Sequence, residues 1–189
     1  MKTLGALLFW LVSAHTAISA EQYRLDAAHS ELSFQVRHFA GSVTGKFTDF
    51  SGTVTYNRAQ PERSSVEATI QVQSIDTGIK DRDHHLLSAE FFDVQKFPTI
   101  TFKSTSVDRT SEHTADVHGN LTMHGTTRSV VLHVELLPEK NDATDSLHWK
   151  VAASLKRKSF GLGWNALIEA SQAVGDDINI RMKMVTPAG

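Results

Sequence analysis

Residues 74–106 read Ser-Ile-Asp-Thr-Gly-Ile-Lys-Asp-Arg-Asp-His-His-Leu-Leu-Ser-Ala-Glu-Phe-Phe-Asp-Val-Gln-Lys-Phe-Pro-Thr-Ile-Thr-Phe-Lys-Ser-Thr-Ser. A charged turn leads into a segment, 81–93, with helical character. Four phenylalanines lie between positions 91 and 102. Ile100 and Phe102 then alternate with threonines, which is the pattern of a half-buried strand. The stretch therefore predicts a short helical piece and a strand in close succession, with the four phenylalanines around and between them.

Apolar residues at every second position dominate the rest of the chain. Such alternation is typical of antiparallel strands with one buried face and one wet face. The runs are 32–36, 43–47, 52–56, 66–72, 100–102, 117–123, 130–137, 147–155 and 178–184. Turn residues separate them, and no Gly-, Ser- or Pro-rich linker divides the chain. We therefore predict one all-β domain, a barrel or sandwich of about eight antiparallel strands with one short helical segment around 81–93.

The N-terminus has the three parts of a secretory signal. Lys2 precedes an apolar run over 4–12, and small and polar residues follow over 13–20. The apolar run is shorter than the roughly 20 residues that a membrane span needs. We therefore predict a signal peptide at 1–20, a mature domain at 21–189, and a periplasmic location for that domain.

Composition excludes several classes of function. The chain has no cysteine, which rules out disulfides, thiolate metal ligands and a lipid anchor on an N-terminal cysteine. The net charge is −2 and no basic block occurs, so we expect neither nucleic-acid binding nor electrostatic docking to a membrane. Because no cysteine can carry a lipid and the apolar N-terminal run is too short to span a bilayer, we also expect no stable membrane anchor. Residues 21–189 are enough for one domain that buries roughly 70% of the unfolded chain's surface.

Histidines are frequent, with ten in the chain. None of them forms a His-x-His or His-x-x-x-His pair with another, and no acidic ligand cluster accompanies them, so we predict no metal site. Asp83, His84 and His85 could form an acid–base cluster, because a histidine beside a carboxylate is the usual general base. No nucleophile motif goes with them. The alternative is structural: Asp81 or Asp83 caps a short helix, and Arg82 pairs with a carboxylate.

Aromatic residues are spread over many strands and loops. In an ordinary domain they would fill the core. A barrel of eight strands, however, is near the size at which the interior holds either side chains or one ligand. The residue pattern by itself leaves a filled barrel and a ligand cavity both open.

Seven ordered blocks of sequence resemble the YceI-like family of secreted lipid-binding barrels, over nearly all of 22–186. The blocks are Tyr23–Ser30, Phe34–His38 with Val43–Phe47 and Phe50–Gly52, Ser74–Thr77, Arg82–Leu86, Phe91–Phe102, Gly119–Gly125 and Arg157–Gly161. In the block at 82–86, His85 fits the family's histidine and His84 its variable position. The segment after Gly161 fits the family less closely.

The resemblance implies an extended, lipocalin-like antiparallel β-barrel that binds a polyisoprenoid chain or an isoprenoid quinone. It implies a carrier with no catalytic step and no cofactor, often a homodimer. Strand alternation then nominates the residues that would touch the ligand. They are Phe34, Val36, Phe47, Ile70, Phe91, Phe92, Ile100, Phe102, Leu121, Met123, Phe160, Trp164, Ile180 and Met182.

Two other functions are kept as alternatives. One is a metal-dependent or acid–base enzyme centred on Asp83, His84 and His85. The other is a structural barrel with a filled interior, which predicts that the structure contains no internal void.

Overall fold

A computed structural model describes residues 20–39, 41–138, 146–163 and 173–187. Within these ranges the chain forms eleven strands and one α-helix. The strands are β1 (Glu21–Arg24), β2 (Glu31–His38), β3 (Gly41–Phe47), β4 (Phe50–Tyr56), β5 (Ser65–Gln71), β6 (Ile75–Asp76), β7 (Thr99–Arg109), β8 (Thr114–Met123), β9 (Thr126–Leu136), β10 (Leu147–Lys156) and β11 (Val174–Thr186). The helix is α1 (Lys80–Leu87), and short 3₁₀ turns occupy Pro61–Arg63, Val72–Ser74 and Arg157–Phe160.

All strands belong to one sheet in the order β1-β4-β5-β7-β8-β9-β10-β11-β2-β3-β6, and every neighbouring pair is antiparallel. The sheet curls round a shared interior, so that its apolar faces meet, as a strongly twisted sheet of this many strands must. In the described part of the chain its edges, β1 and β6, do not pair with each other. The architecture is thus an open, lipocalin-like barrel, as predicted.

The segment after β1 ties two distant parts of the barrel together. Leu25 donates from its backbone N–H to the Gly52 carbonyl at 3.0 Å, and Asp26 donates to the Val185 carbonyl at 2.9 Å. The Val185 N–H in turn donates to the Ser30 hydroxyl at 2.9 Å. The chain therefore crosses from the edge beside β4 to the end of β11 and is hydrogen-bonded to both.

The strand count of about eight was wrong, since the described residues contain eleven. The nine alternating runs lie in strands, apart from Val72, which begins a 3₁₀ turn, and Leu137, which follows β9. The additional strands, β1 and β6, have four and two residues and are therefore too short to show a period of two.

The helical segment predicted around 81–93 is confirmed in its first half. Helix α1 ends at Leu87, where Ser88 is extended and its hydroxyl donates to the His85 carbonyl at 2.8 Å. Residues 89–98 continue as turns. They bring Phe91 and Phe92 back beneath the helix, where the Phe92 N–H donates to the Leu86 carbonyl at 2.9 Å.

The predicted signal peptide lies almost wholly outside the described residues, which begin at Ala20. Among the residues that are described, no helix has the length and apolar character needed to cross a bilayer.

Candidate functional site

A cavity of about 710 Å³ lies inside the curled sheet. Every strand except β1 contributes to its wall, as do α1 and the turn with Phe91 and Phe92. Leu, Ile, Val, Met, Ala and Phe make up most of the wall. The volume is within the range of about 300–1,000 Å³ typical of ligand pockets. It contradicts the filled structural barrel, because native interiors hold few voids larger than a water molecule.

Strand register explains why the wall is apolar. Phe34 on β2 lies opposite Ile180 on β11, and Ile180 lies opposite Ala153 on β10. On the other side, Phe102 on β7 lies opposite Ala68 on one neighbour and Leu121 on the other. Because residues paired across strands share a face, one inward residue in each strand fixes an inward row round the barrel.

The structure brings twelve of the fourteen predicted ligand contacts to this wall. They are Phe34, Val36, Phe47, Ile70, Phe91, Phe92, Ile100, Phe102, Leu121, Met123, Ile180 and Met182. Their position is a finding, whereas their contact with a ligand remains a prediction.

Phe160 is placed elsewhere, which corrects its nomination as a cavity residue. It lies in the 3₁₀ turn after β10, is 2% exposed and is absent from the cavity wall. Its carbonyl oxygen is 3.3 Å from Nδ1 of His124 in the β8–β9 turn. Alternation fixes the direction of side chains only within strands. Phe160 lies in a 3₁₀ turn, so the prediction from alternation was wrong for it. Trp164, the remaining nominee, is outside the described residues.

Phe91 and Phe92, from the phenylalanine-rich stretch 91–102, form one side of the cavity together with Phe34 and Phe47. The Phe97 ring instead lies 4.7 Å from that of His124, away from the cavity wall. The Phe47 ring is 5.6 Å from that of Phe34 and 6.3 Å from that of Phe92, and the Phe91 and Phe92 rings are 5.2 Å apart. The last two pairs meet edge to face, an arrangement that aromatic rings favour. The rings thus pack β2, β3 and the turn after α1 into one surface.

Sequence reasoning missed the polar residues of the wall. Among the described residues they include Thr77 just before α1, Arg82 and His85 within α1, and Arg157 after β10. Trp149 and Ala153 of β10 were also missed as wall residues. Alternation along β10 could have identified those two, but no sequence signal separates a polar residue beside a cavity from one on the surface.

Residues 77–85 form a hydrogen-bonded cluster at the wall. Asp83 Oδ1 accepts from the Thr77 N–H at 2.9 Å and from the Thr77 hydroxyl at 2.5 Å. Arg82 donates from Nε to the Thr77 hydroxyl and from Nη2 to the Thr77 carbonyl, both at 2.7 Å. The helix begins after Ile79 without a side-chain cap. The structural alternative was therefore wrong in detail: neither aspartate caps α1, and Arg82 binds threonine oxygens rather than a carboxylate.

The proposed acid–base trio is not assembled as one site. Asp83 is engaged by Thr77, His84 is exposed, and His85 Nδ1 faces the Glu90 carboxylate at 3.6 Å. Within the described ranges, no three His, Cys, Asp or Glu side chains converge as metal ligands would.

Arg157 has a different role at the wall. It is 2% exposed and donates to three carbonyl oxygens: from Nε to Gly175 at 2.8 Å, from Nη1 to Leu162 at 2.8 Å and from Nη2 to Val174 at 3.2 Å. A buried guanidinium needs such partners to offset its desolvation. Arg157 therefore fastens the chain after β10 to the start of β11.

Comparisons with known proteins agree with this architecture. The family profile of the YceI-like domain matches residues 23–186. A UPF0312 protein of Pseudomonas paraeruginosa is 37% identical over 180 residues, which cover 92% of this chain and 93% of that protein. Protein YceI of Salmonella newport is 40% identical over 143 residues, covering 74% of this chain and 72% of the other.

Two solved structures have the same fold. BcnA of Burkholderia cenocepacia superimposes with a TM-score of 0.78 at 24% identity, covering 85% of this chain and 98% of BcnA. A protein from Saccharophagus degradans, described as a polyisoprenoid binding domain implicated in plant cell wall breakdown, gives a TM-score of 0.68 at 18% identity. That match covers 88% of this chain and 98% of the domain. At these identities the likeness is one of fold.

Proposed function

The chain belongs to the YceI-like family, and on that premise we propose that it is a periplasmic carrier of a long isoprenoid lipid. The cargo is a polyprenyl chain or an isoprenoid quinone, held inside the barrel without a catalytic step. The observation that carries the proposal is the apolar cavity of about 710 Å³. The name of the Saccharophagus degradans domain, which has the same fold, supports the class of cargo.

Energetics favour a cavity that is occupied by hydrocarbon. Side chains that line an empty space of this size lose the contacts that a close-packed interior would give them, so the empty barrel is less stable than the filled one. Water fills such a space poorly, because it needs polar partners and most of the wall has none to offer. A hydrocarbon chain needs no hydrogen-bonding partners, so it can fill this apolar space.

Burial of the lipid tail in the cavity also contributes favourably to the binding free energy. Each methylene-sized group that enters an apolar site contributes about 0.8 kcal/mol. Ten such groups give roughly 8 kcal/mol before ordering costs, which corresponds to micromolar affinity. A polyprenyl tail exceeds ten groups, so the wall can hold it with little help from polar contacts.

The location is part of the proposal. Residues 1–20 carry the signal-like pattern, and the domain begins at β1 immediately after it. Expression in a Gram-negative host followed by fractionation tests this. We expect the protein in the osmotic-shock fraction with an N-terminus near residue 20 or 21, whereas full-length protein in the cytoplasm would contradict the location.

Lipid uptake is testable through Trp149. Its indole lines the cavity, donates from Nε1 to the Thr186 hydroxyl at 3.0 Å and lies 5.3 Å from the Tyr56 ring. A quinone bound in the cavity should quench its fluorescence, and Trp149→Phe should remove that part of the quenching. Native mass spectrometry should show a stoichiometric complex. Folded, delipidated protein that takes up neither a quinone nor a polyprenyl alcohol would refute the proposal.

A further inference from the structure

Two arginines line the cavity among the described residues, and they differ in how their donors are used. Arg157 places each of its three nitrogens on a backbone carbonyl. Arg82 places Nε and Nη2 on Thr77, and Nη1 has no protein partner in the described part of the chain. A guanidinium has five N–H donors, so Arg82 retains donors for an incoming acceptor.

Arg82 is held in one position. The Thr77 hydroxyl accepts from Arg82 and donates to Asp83, so the three side chains form a short relay. The fork of Nε and Nη2 on a single residue fixes the guanidinium plane. An anchor that is ordered before binding loses less side-chain entropy when a ligand arrives.

The phenyl ring of Phe34 lies close to Thr77, on the part of the cavity wall that Arg82 lines. A Cβ at Gly45 would lie 2.4 Å from the Phe34 ring and 2.9 Å from the Thr77 methyl group, so the absence of a side chain at Gly45 lets both come close to β3. Phe34 lines the cavity and is only half-buried. The partly accessible face of the Phe34 ring therefore lies on the same part of the wall as the hydrogen-bonded side chains of Arg82, Thr77 and Asp83.

Local charge favours an uncharged acceptor. The segment 76–90 carries the carboxylates Asp76, Asp81, Asp83 and Glu90, against the cations Lys80 and Arg82 and against Lys46 of β3, which lies 3.5 Å from Asp76. An anionic head group at Arg82 would be repelled by Asp83, whose Oδ1 accepts from the same Thr77 hydroxyl that Arg82 binds. A carbonyl oxygen would accept from Arg82 without that repulsion.

We propose that Arg82 is the head-group anchor of the cavity, donating from Nη1 to an uncharged carbonyl oxygen of the kind that a quinone ring carries, with the ring against Phe34. This inference rests on the proposed function, since it places the head of the isoprenoid lipid that the cavity holds. A hydrogen bond from a charged donor predicts about tenfold to hundredfold tighter binding of a ligand with such a head.

Three probes test the anchor on delipidated protein. They are a benzoquinone with an isoprenoid tail, squalene as an isoprenoid hydrocarbon without oxygen, and a polyprenyl diphosphate. We expect the native protein to bind the quinone at least tenfold more tightly than squalene. We expect Arg82→Met to abolish most of this preference while squalene affinity, which also reports an intact fold, is unchanged.

Lys80→Met is the matched control. It removes the same charge from the same helix, but Lys80 is exposed and does not line the cavity, so the quinone preference should persist. Infrared spectra give an independent readout: the carbonyl stretch of the bound quinone should shift to lower wavenumber in the native protein and return in Arg82→Met.

Three outcomes would overturn the anchor. Equal loss of quinone and squalene binding in Arg82→Met would make Arg82 structural, and an unchanged preference would remove it from the head-group site. A diphosphate that binds more tightly than the quinone would make the acceptor anionic. Failure of the native protein to bind any of the three probes would instead refute the proposed function itself.

Discussion

Ala152 and Ala153 are neighbours on β10 that face opposite sides of the sheet. Ala153 is buried in the cavity wall and Ala152 is exposed. We predict that Ala153→Trp lowers lipid affinity at least tenfold, because displacing only two methylene-sized groups of the ligand removes about 1.6 kcal/mol. Ala152→Trp, the matched control, should bind as the native protein does. Equal affinities of the two folded variants, measured by lipid titration, would contradict the assignment of the cavity.

Tyr23 gives a prediction about alkaline pH. Burial and the adjacent Glu21 carboxylate raise the pKa of Tyr23 from 10.0 to about 12. Since the folded protein keeps the phenol proton longer than the unfolded chain does, Tyr23 favours folding below pH 10, and this contribution is lost between about pH 10 and 12. The chain has two tyrosines, so absorbance titration should show a late phenolate step that Tyr23→Phe removes. A native titration without that late step would contradict this environment.

At single positions the sequence predicted the inward side chains of strands but not the polar contacts. Twelve of the nominated residues lie on the cavity wall because strand alternation fixes their direction. Phe160 was misplaced because it lies in a 3₁₀ turn. The partners of Arg82 depend on how β6 and α1 meet, which no local pattern encodes.

Strands β7 and β8 pack so closely at Gly119 of β8 that no side chain fits at this position. A Cβ at Gly119 would lie 2.4 Å from the Phe102 ring and 2.7 Å from the Lys103 carbonyl oxygen. Because that carbonyl is backbone and cannot turn away, we predict that Gly119→Ala lowers the free energy of unfolding by about 1–3 kcal/mol. Asn120→Ala, on the outer face of the same strand, should change it by less than about 0.5 kcal/mol. Urea denaturation of both variants checks this, and equal stabilities would contradict the packing.

Strands were predictable where the alternation of apolar and polar residues continues over enough positions to be recognised in the sequence. The ladder at 147–155 became β10, and its full-length pairing with β11 follows from alternation in both strands. The two strands that were missed are edges, and β6 is held by only two pairs with β3. The helix ended earlier than expected because the Ser88 hydroxyl and N–H both bond back to His85.

The whole molecule is a sheet wrapped round a space, so its stability should depend on its cargo. We predict that delipidation lowers Tm. Ligand at about one hundred times its Kd stabilises by about 2.7 kcal/mol, which for a domain of this size corresponds to roughly 5–10 °C. Calorimetry before and after extraction, and again after reloading, measures the difference. A Tm that does not respond to lipid would mean that the native barrel is stable without one.

Mass spectrometry of organic extracts shows whether this cavity carries an isoprenoid lipid. The protein would be purified from its own host under native conditions and extracted without added lipid. We predict one polyprenyl lipid or isoprenoid quinone per barrel, reduced in Ala153→Trp and retained in Ala152→Trp. An extract without such a lipid, together with no uptake after incubation with one, would mean that the barrel is not an isoprenoid carrier.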